Sequence, residues 1–259
     1  MSEDILTEID DGIATVTINR PDRRNALSGA VVKGLTERFE TLSDNDDVTV
    51  IVLTGAGDKA FCAGGDLMDQ QMGGGALAMH EDRSGFADML LAMNQCSKPL
   101  IARVNGHALG GGFGLALNCD IAVGSTNATF GTPEIKVGLF PMMIMAVIQR
   151  NLGRKKSMEL MLTGKRVDAE EAERLGIINY AVEADQLDAK VNELAERIAG
   201  FSPAILKLGR RAFYKTQDMD FEGALRMLHN ELTINTLTED AAEGIMAFIA
   251  KRDPEWKGK

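Results

Sequence analysis

The stretch from Val104 to Asp120, VNGHALGGGFGLALNCD, sets four glycines among the five residues Gly110 to Gly114, directly before an apolar, helix-forming run. A second stretch, KAFCAGGDL from Lys59 to Leu67, sets Gly64 and Gly65 before Asp66, where a helix is predicted to start. Glycine permits positive φ and lets a ligand approach the main chain closely. The helix N-terminus that follows presents unpaired N–H groups carrying partial positive charge. Each turn is therefore suited to hold a negatively charged oxygen, one through an N–H near Gly65 and the other through an N–H near Gly111. If the two donors converge on one oxygen they form an oxyanion hole, a large electrostatic contribution in reactions that develop an enolate or alkoxide. Taken singly, each turn is equally compatible with a purely structural role.

Other chemistries find less support. His80, His107 and His229 lack metal-ligand spacing with one another or with Cys62, Cys96 and Cys119, so no metal site is expected. No G-x-S-x-G elbow accompanies the histidines, and His107 is expected to be a packed or hydrogen-bonded residue of its turn. The run TGAGDKAFCAGG lacks the G-x-G-x-x-G spacing of a dinucleotide site.

The elements that must position these turns can be read from periodicity. Asp4–Ile9 and Gly12–Asn19 alternate as strands around a tight acidic turn, predicting an opening hairpin. Val32, Leu35, Phe39 and Leu42 recur at helical spacing, with Ser28 as N-cap. VTVIVLTG is nearly all β-branched or apolar, as in a strand buried on both faces. A flexible stretch MGGGALAMHEDRSG, a helix near Phe86–Gln95, the strand PLIARVNG, the glycine cluster with its helix, and the strand CDIAVGS follow. This alternation predicts an α/β architecture with one main core. From about Asp168 the pattern is mostly helical, over residues 184–199, 203–215, 221–236 and 239–252.

A chain of 259 residues can bury a substantial core as one large domain, or as one domain with a small appendage. No apolar run approaches the 18 residues or so of a membrane span, so no membrane association is expected. The acidic start MSEDILTEIDDG has no secretory-signal pattern, and the expected location is the cytoplasm. A formal charge of −10 argues against nucleic acid as a partner, while leaving room for a local cationic cluster that holds a few phosphates. The three widely spaced cysteines are expected to be reduced and mostly buried.

Six segments together resemble the crotonase, or enoyl-CoA hydratase/isomerase, superfamily. They are NRPDRRNALS (19–28), AFCAGGDL (60–67), VNGHALGGGFGLALNCD (104–120), FGTPEIKVGLFP (130–141), LTGKRVDAEEAERLGIIN (162–179) and EGIMAFIAKRDPEW (243–256), in family order over nearly the whole length. The resemblance implies a crotonase-like spiral of ββα turns (1–200) with a helical C-terminal region (201–259) for trimerisation and coenzyme A contacts. It implies a homotrimer or dimer of trimers acting on an acyl-CoA, with no cofactor beyond the coenzyme A of the thioester substrate. It also assigns the oxyanion hole to the main-chain N–H groups of Gly65 and Gly111, and makes Asp66 the residue capping the helix behind the hole.

Glu134 stands where the family keeps its general acid/base for the substrate α-carbon. Phe130, Ile135, Leu139 and Phe140 are placed to surround its carboxylate with apolar atoms and raise its pKa. A solvated surface carboxylate is the plain alternative. Hydratases of the family typically carry a second Glu in the glycine cluster, and here the corresponding residue is Gly114. Hydration needs a base that activates water at the β-carbon as well as an acid for the α-carbon. A double-bond shift needs only one carboxylate, which moves a proton from the α- to the γ-carbon, so the expected activity leans towards enoyl-CoA isomerisation. A 2-enoyl-CoA hydratase in fatty-acid-type degradation is the alternative, and a non-catalytic acyl-CoA-binding protein a further one.

For coenzyme A the resemblance points to Asp22, Arg23 and Arg24, and to Phe248 and Lys251 of the last helix. Arg23, Arg24, Lys251 and Arg252 are cations suited to phosphate, although the Arg20–Arg24 turn is equally readable as solvated. Leu67, Met142 and Met143 are candidates for the acyl pocket, the two methionines for pocket or core, where their adaptable side chains suit an irregular cavity.

Overall fold

The computed structural model describes residues 4–66 and 76–259. It opens with the predicted hairpin: β1 (Ile5–Asp10) pairs antiparallel with β2 (Ile13–Ile18), Asp10 standing opposite Ile13. The two residues between them, Asp11 and Gly12, take φ of 44° and 78°, the positive pair that a primed two-residue turn requires. Helix α1 (Gly29–Ser43) begins where Ser28 Oγ accepts the Val31 N–H at 3.3 Å. Its buried stripe is Val31, Leu35, Phe39 and Leu42, so Val31 takes the core position predicted for Val32, which is half-buried beside it.

Three passes of the chain build the frame. In the first, β3 (Val50–Gly55) and β4 (Ala60–Cys62) precede helix α2 (Ala76–Gln95). In the second, β5 (Leu100–Val104) and β6 (His107–Leu109) lead into α3 (Gly111–Asn118). In the third, β7 (Ile121–Ser125) and β8 (Thr129–Gly131) lead through a 3-10 turn at Pro133–Val137 to α4 (Met142–Asn151). Each pass lays its first strand in a large sheet of order β1-β2-β3-β5-β7-β10 and its second in a small sheet of order β4-β6-β8-β9. This is the spiral of ββα turns that the resemblance implies.

Two short strands escape the sequence pattern, one ending at Asp168, where the mostly helical part begins, and one within that part. After α5 (Arg154–Thr163), β9 (Arg166–Asp168) pairs antiparallel with β8, and after α6 (Ala169–Arg174), β10 (Tyr180–Val182) pairs parallel with β7. Both strands have three residues, too few to display an alternation. Helix α2 also starts by Ala76 rather than near Phe86. Good helix formers (Ala, Leu, Met, Glu, Arg) hold six of the nine residues 76–84, and a Cβ on the mid-helix Gly85 would meet only Val32 Cγ1 at 3.7 Å.

The large sheet is covered on both faces, which explains why β3 is buried throughout. Val50, Val52, Ile101 and Val123 pack on Leu187, Val191 and Ala195 of α7 (Leu187–Ala199), while Ile51, Leu53, Leu100 and Ala102 join the main core. The chain ends in α8 (Pro203–Thr216), α9 (Phe221–Thr236) and α10 (Glu239–Ala250). Among the described residues no helix is long and apolar enough to cross a membrane.

Candidate active site

Strands β4, β6 and β8 are adjacent and parallel, so their C-terminal ends deliver three loops to one edge of the small sheet. The first loop carries Gly64 and Gly65, the second Gly110 and Gly111, and the third Glu134. Parallel strands with crossover connections place ligand sites at such carboxyl ends as a rule.

The glycines are required where the loops meet. Gly64 (φ 97°) and Gly110 (φ 54°) adopt conformations that side-chain-bearing residues rarely take. A Cβ on Gly64 would stand 2.9 Å from Leu109 O, 3.3 Å from Gly111 N and 3.5 Å from Gly110 Cα, so the two turns lie backbone against backbone. Leu27 spans both: its main chain exchanges hydrogen bonds with Gly64 O and Asp66 N at 2.8 and 2.9 Å, and its Cδ1 lies 3.0 Å from where a Cβ on Gly111 would be. The N–H groups of Gly65 and Gly111 donate to no partner among the described residues. Two free donors thus stand at the meeting of the turns, one of them in the first turn of α3.

Glu134 reaches the same place. Its Oε1 would be 2.8 Å from a Cβ on Gly110, and its Oε2 is buried without a hydrogen-bond partner. Burial pushes the carboxyl pKa up, against an opposing pull from a hydrogen bond to its own backbone N–H. The apolar surround differs from expectation. Ile135 and Leu139 are 36% and 50% exposed, because the short 3-10 turn aims Ile135 at Gly164 instead. Phe130 is fully buried in the core and Phe140 is half-buried against it, and the Glu134 carboxylate lies against Gly110.

Gly112 holds the turns together in a third way: a Cβ there would run into the Cys62 carbonyl and stand 2.7 Å from Cys62 Cβ. Gly112→Ala is therefore expected to destabilise the protein by about 1–3 kcal/mol despite alanine's higher helix propensity. Thermal unfolding checks this, and activity should fall with it because β4 and α3 are forced apart.

The remaining predicted residues fall in several places. Asp22, Arg23 and Arg24 are exposed on a 3-10 turn, and Arg24 O accepts the Ala63 N–H at 3.0 Å, which sets that turn beside Gly64. Asp66 is buried and pairs with Arg20 at 3.2 Å, bracing the same two segments. Phe248 is 85% exposed and Lys251 caps α10, a helix packed on α8 and α9; among the described residues no side-chain bond joins them to the other site residues. Met142 and Met143 are 66% and 38% exposed, hence not core; they line a cleft of about 1340 Å³ between α2, α4 and α8. Leu67 lies outside the described residues. His107 Nδ1 sits 2.8 Å from Thr129 Oγ1, as expected of a hydrogen-bonded residue. Its pKa is lowered by burial and by Arg166 and Arg24. Cys62, Cys96 and Cys119 are buried and unpaired, and burial pushes the Cys62 thiol up to about 12.

Sequence reasoning missed the two asparagines that brace the loops. Asn25 (φ 54°, fully buried) donates to Ala56 O and Ala60 O at 3.0 and 2.7 Å, and Asn105 donates to Gly55 O and Gly57 O at 2.8 and 2.6 Å. An Asn next to a turn, in RRNAL and in VNG, was the available signal.

The enoyl-CoA hydratase/isomerase family model matches residues 8–259. The chain belongs to that family. It is 36% identical over 259 residues to a probable enoyl-CoA hydratase of Mycobacterium tuberculosis, covering 98% of each chain. It is 34% identical to the 2,3-dehydroadipyl-CoA hydratase of Escherichia coli, over 95% of this chain and 96% of that one. Among solved structures, an enoyl-CoA hydratase of Mycobacterium smegmatis superposes with a TM-score of 0.95 at 35% identity, covering 98% of this chain and 99% of that one. Human enoyl-CoA hydratase domain-containing protein 3 gives 0.93 at 30% identity, covering 98% and 100%. The fold is accordingly a crotonase fold, and a family member of this kind is an enzyme that takes acyl-CoA substrates.

Proposed function

We propose that the enzyme forms a thioester enolate held by the N–H groups of Gly65 and Gly111, with Glu134 as its single proton shuttle, and that it shifts the double bond of an enoyl-CoA. The observation that carries this reading is the buried, unpartnered Glu134 Oε2 beside two backbone donors that are also free. With a 3-enoyl thioester, the Glu134 carboxylate takes a proton from the α-carbon, and the electron pair moves onto the thioester oxygen as a dienolate. The N–H pair stabilises that oxygen. Glu134, now protonated, returns the proton to the γ-carbon, and the double bond moves from the 3,4 to the 2,3 position. The raised pKa suits both halves, since the group must be a usable base and then a usable acid. Hydration of a 2-enoyl-CoA is the second reading, favoured by the hydratase names of the relatives.

Asp22, Arg23 and Arg24, on the exposed turn beside Gly64, are assigned to the coenzyme A, the two arginines to its phosphates. Phe248 and Lys251 are assigned to the same ligand across an assembly of copies. The exposed apolar residues of α9, α10 and the link between them, among them Leu225, Leu232, Leu237 and Phe248, support a homotrimer or a dimer of trimers built through residues 201–259. Met142 and Met143, at the start of α4, are assigned to the acyl pocket. Three unpaired buried thiols support a reducing compartment such as the cytoplasm.

Two assays test the reading. A saturated acyl-CoA incubated with the enzyme in heavy water is expected to gain deuterium at the α-carbon, and absence of label would leave only an acyl-CoA binder. A 2-enoyl-CoA and a 3-enoyl-CoA of equal length are then compared by mass spectrometry. Conversion of the 3-enoyl ester without mass gain is expected; rapid addition of water to the 2-enoyl ester with no isomerisation would move the assignment to hydratase.

A further inference from the structure

Gly110 caps the N-terminus of α3 in a non-helical conformation (φ 54°), and its carbonyl accepts the Gly114 N–H at 3.1 Å, so Gly114 stands one turn in from it. A Cβ on Gly110 would meet the Glu134 carboxylate, and one on Gly114 would meet Ile144 of α4. A Cβ placed on Gly114 would fall inside the van der Waals envelope of Ile144 Cγ2 and 3.0 Å from Ile144 Cβ. Ile144 cannot simply withdraw. It is buried at 3% exposure with Val147 and Ile148 on the packed side of α4, and Asn151 Nδ2 donates to Leu117 O at 3.3 Å, tying the end of α4 to α3. The glycine at 114 is therefore matched to a branched neighbour, and the two form one unit.

We propose that Ile144 is a specificity-determining residue: it closes position 114 to any side chain and so holds the site at a single carboxylate. The inference deepens the reading of Glu134 as sole proton shuttle and rests on it. With Ile144 in place, the α3 wall one turn beyond the two free N–H groups is hydrocarbon, and no group there can accept a proton from water as its oxygen adds to the β-carbon. Among the described residues, Glu134 is then the one group placed to carry an acid–base step there.

The test is a set of variants at the two positions. Gly114→Ala in the wild-type background is expected to lower the thermal midpoint by roughly 4 °C or more, as overpacking does. In an Ile144→Ala background the same change should leave the midpoint unchanged or raise it, since alanine favours the helix. Equal losses in the two backgrounds would overturn the proposal. The double variant Gly114→Glu/Ile144→Ala should then add water to a 2-enoyl-CoA about a hundred-fold faster than Gly114→Glu alone, the scale of a gained general base. Equal rates for the two would also overturn it. Deuterium exchange at the α-carbon of a saturated acyl-CoA is followed in every variant, because it reports Glu134 and the two glycine turns without needing a group at 114. Loss of exchange in the wild type would defeat the reading of Glu134, and the melting comparison would still decide the role of Ile144.

Discussion

Glu134→Gln is expected to reduce turnover by roughly a thousand-fold while leaving acyl-CoA binding nearly intact. The substitution keeps the shape of the side chain and its place beside Gly110 but removes its ability to carry a proton. Loss confined to kcat, with binding of a saturated acyl-CoA unchanged by calorimetry, is the expected pattern. A decrease smaller than about ten-fold would mean that another group moves the proton. The same group predicts two pH effects. Because burial raises the Glu134 pKa, α-proton exchange should increase with pH through that raised value, the carboxylate being the form that accepts the proton. Stability runs the other way. The folded protein binds this proton more tightly than the unfolded chain does, so the associated stability is fully present below the unfolded pKa and is lost as pH rises through the folded one. Gln does not titrate, and Glu134→Gln should therefore gain in melting temperature relative to wild type on going from acid to neutral pH. An inactive variant that is more stable at neutral pH would identify the carboxylate as strained by its surroundings for a functional reason.

Much of this site was legible in the sequence because its parts depend on single residue types. Gly64 and Gly110 both take positive φ, so a side-chain-bearing residue would be strained there and the glycine itself is the signal. Ser28 before a helical stripe and Asp11-Gly12 between alternating strands are equally local. What was not legible depends on partners far along the chain. Strands β4, β6 and β8 have three residues each, below the length at which alternation can be seen, although they align the three functional loops. The repeat of ββα turns is hidden as well, since β3, β5 and β7 begin at Val50, Leu100 and Ile121, with no fixed period. The surroundings of Glu134 were inferred from neighbours in sequence, yet its carboxylate lies against Gly110, 24 positions earlier (134 − 110). Gly114 read as a missing carboxylate, whereas its steric partner Ile144 stands on a different helix. Glycine needed for conformation can be recognised in one dimension; glycine needed for packing takes its reason from the third.

Arg210→Ala is expected to cost about 1–3 kcal/mol, because it leaves several carbonyl acceptors without their donor and breaks a half-buried ion pair at once. Arg210 lies on α8 with its side chain 6% exposed, and its Nε donates to Asp120 Oδ2 at 2.8 Å. Its two other nitrogens reach Met93 O at 2.9 Å, Asn94 O at 3.1 Å and Cys96 O. Those carbonyls belong to the last turn of α2 and the residue just past it, where the helix has no N–H of its own to offer. A cation at a helix C-terminus also meets the negative end of its dipole. Asp120 is held in turn by the Leu100 N–H at 2.7 Å and the Tyr214 hydroxyl at 2.6 Å, so one carboxylate joins the start of β5 to two residues of α8. Alanine at 210 would leave the α2 carbonyls without their donor and Asp120 without its cation. Arg210→Lys should recover only part of the loss, since an ammonium cannot span the carboxylate and three carbonyls as the planar fork does. Urea unfolding of the three proteins at one concentration checks the order, and hydrogen exchange should show the Pro203–Thr216 amides losing protection first in Arg210→Ala. A cost below about 1 kcal/mol would mean that apolar packing of α8 holds it to the core without this network, and the cleft shared by α2, α4 and α8 would then keep its shape in the variant.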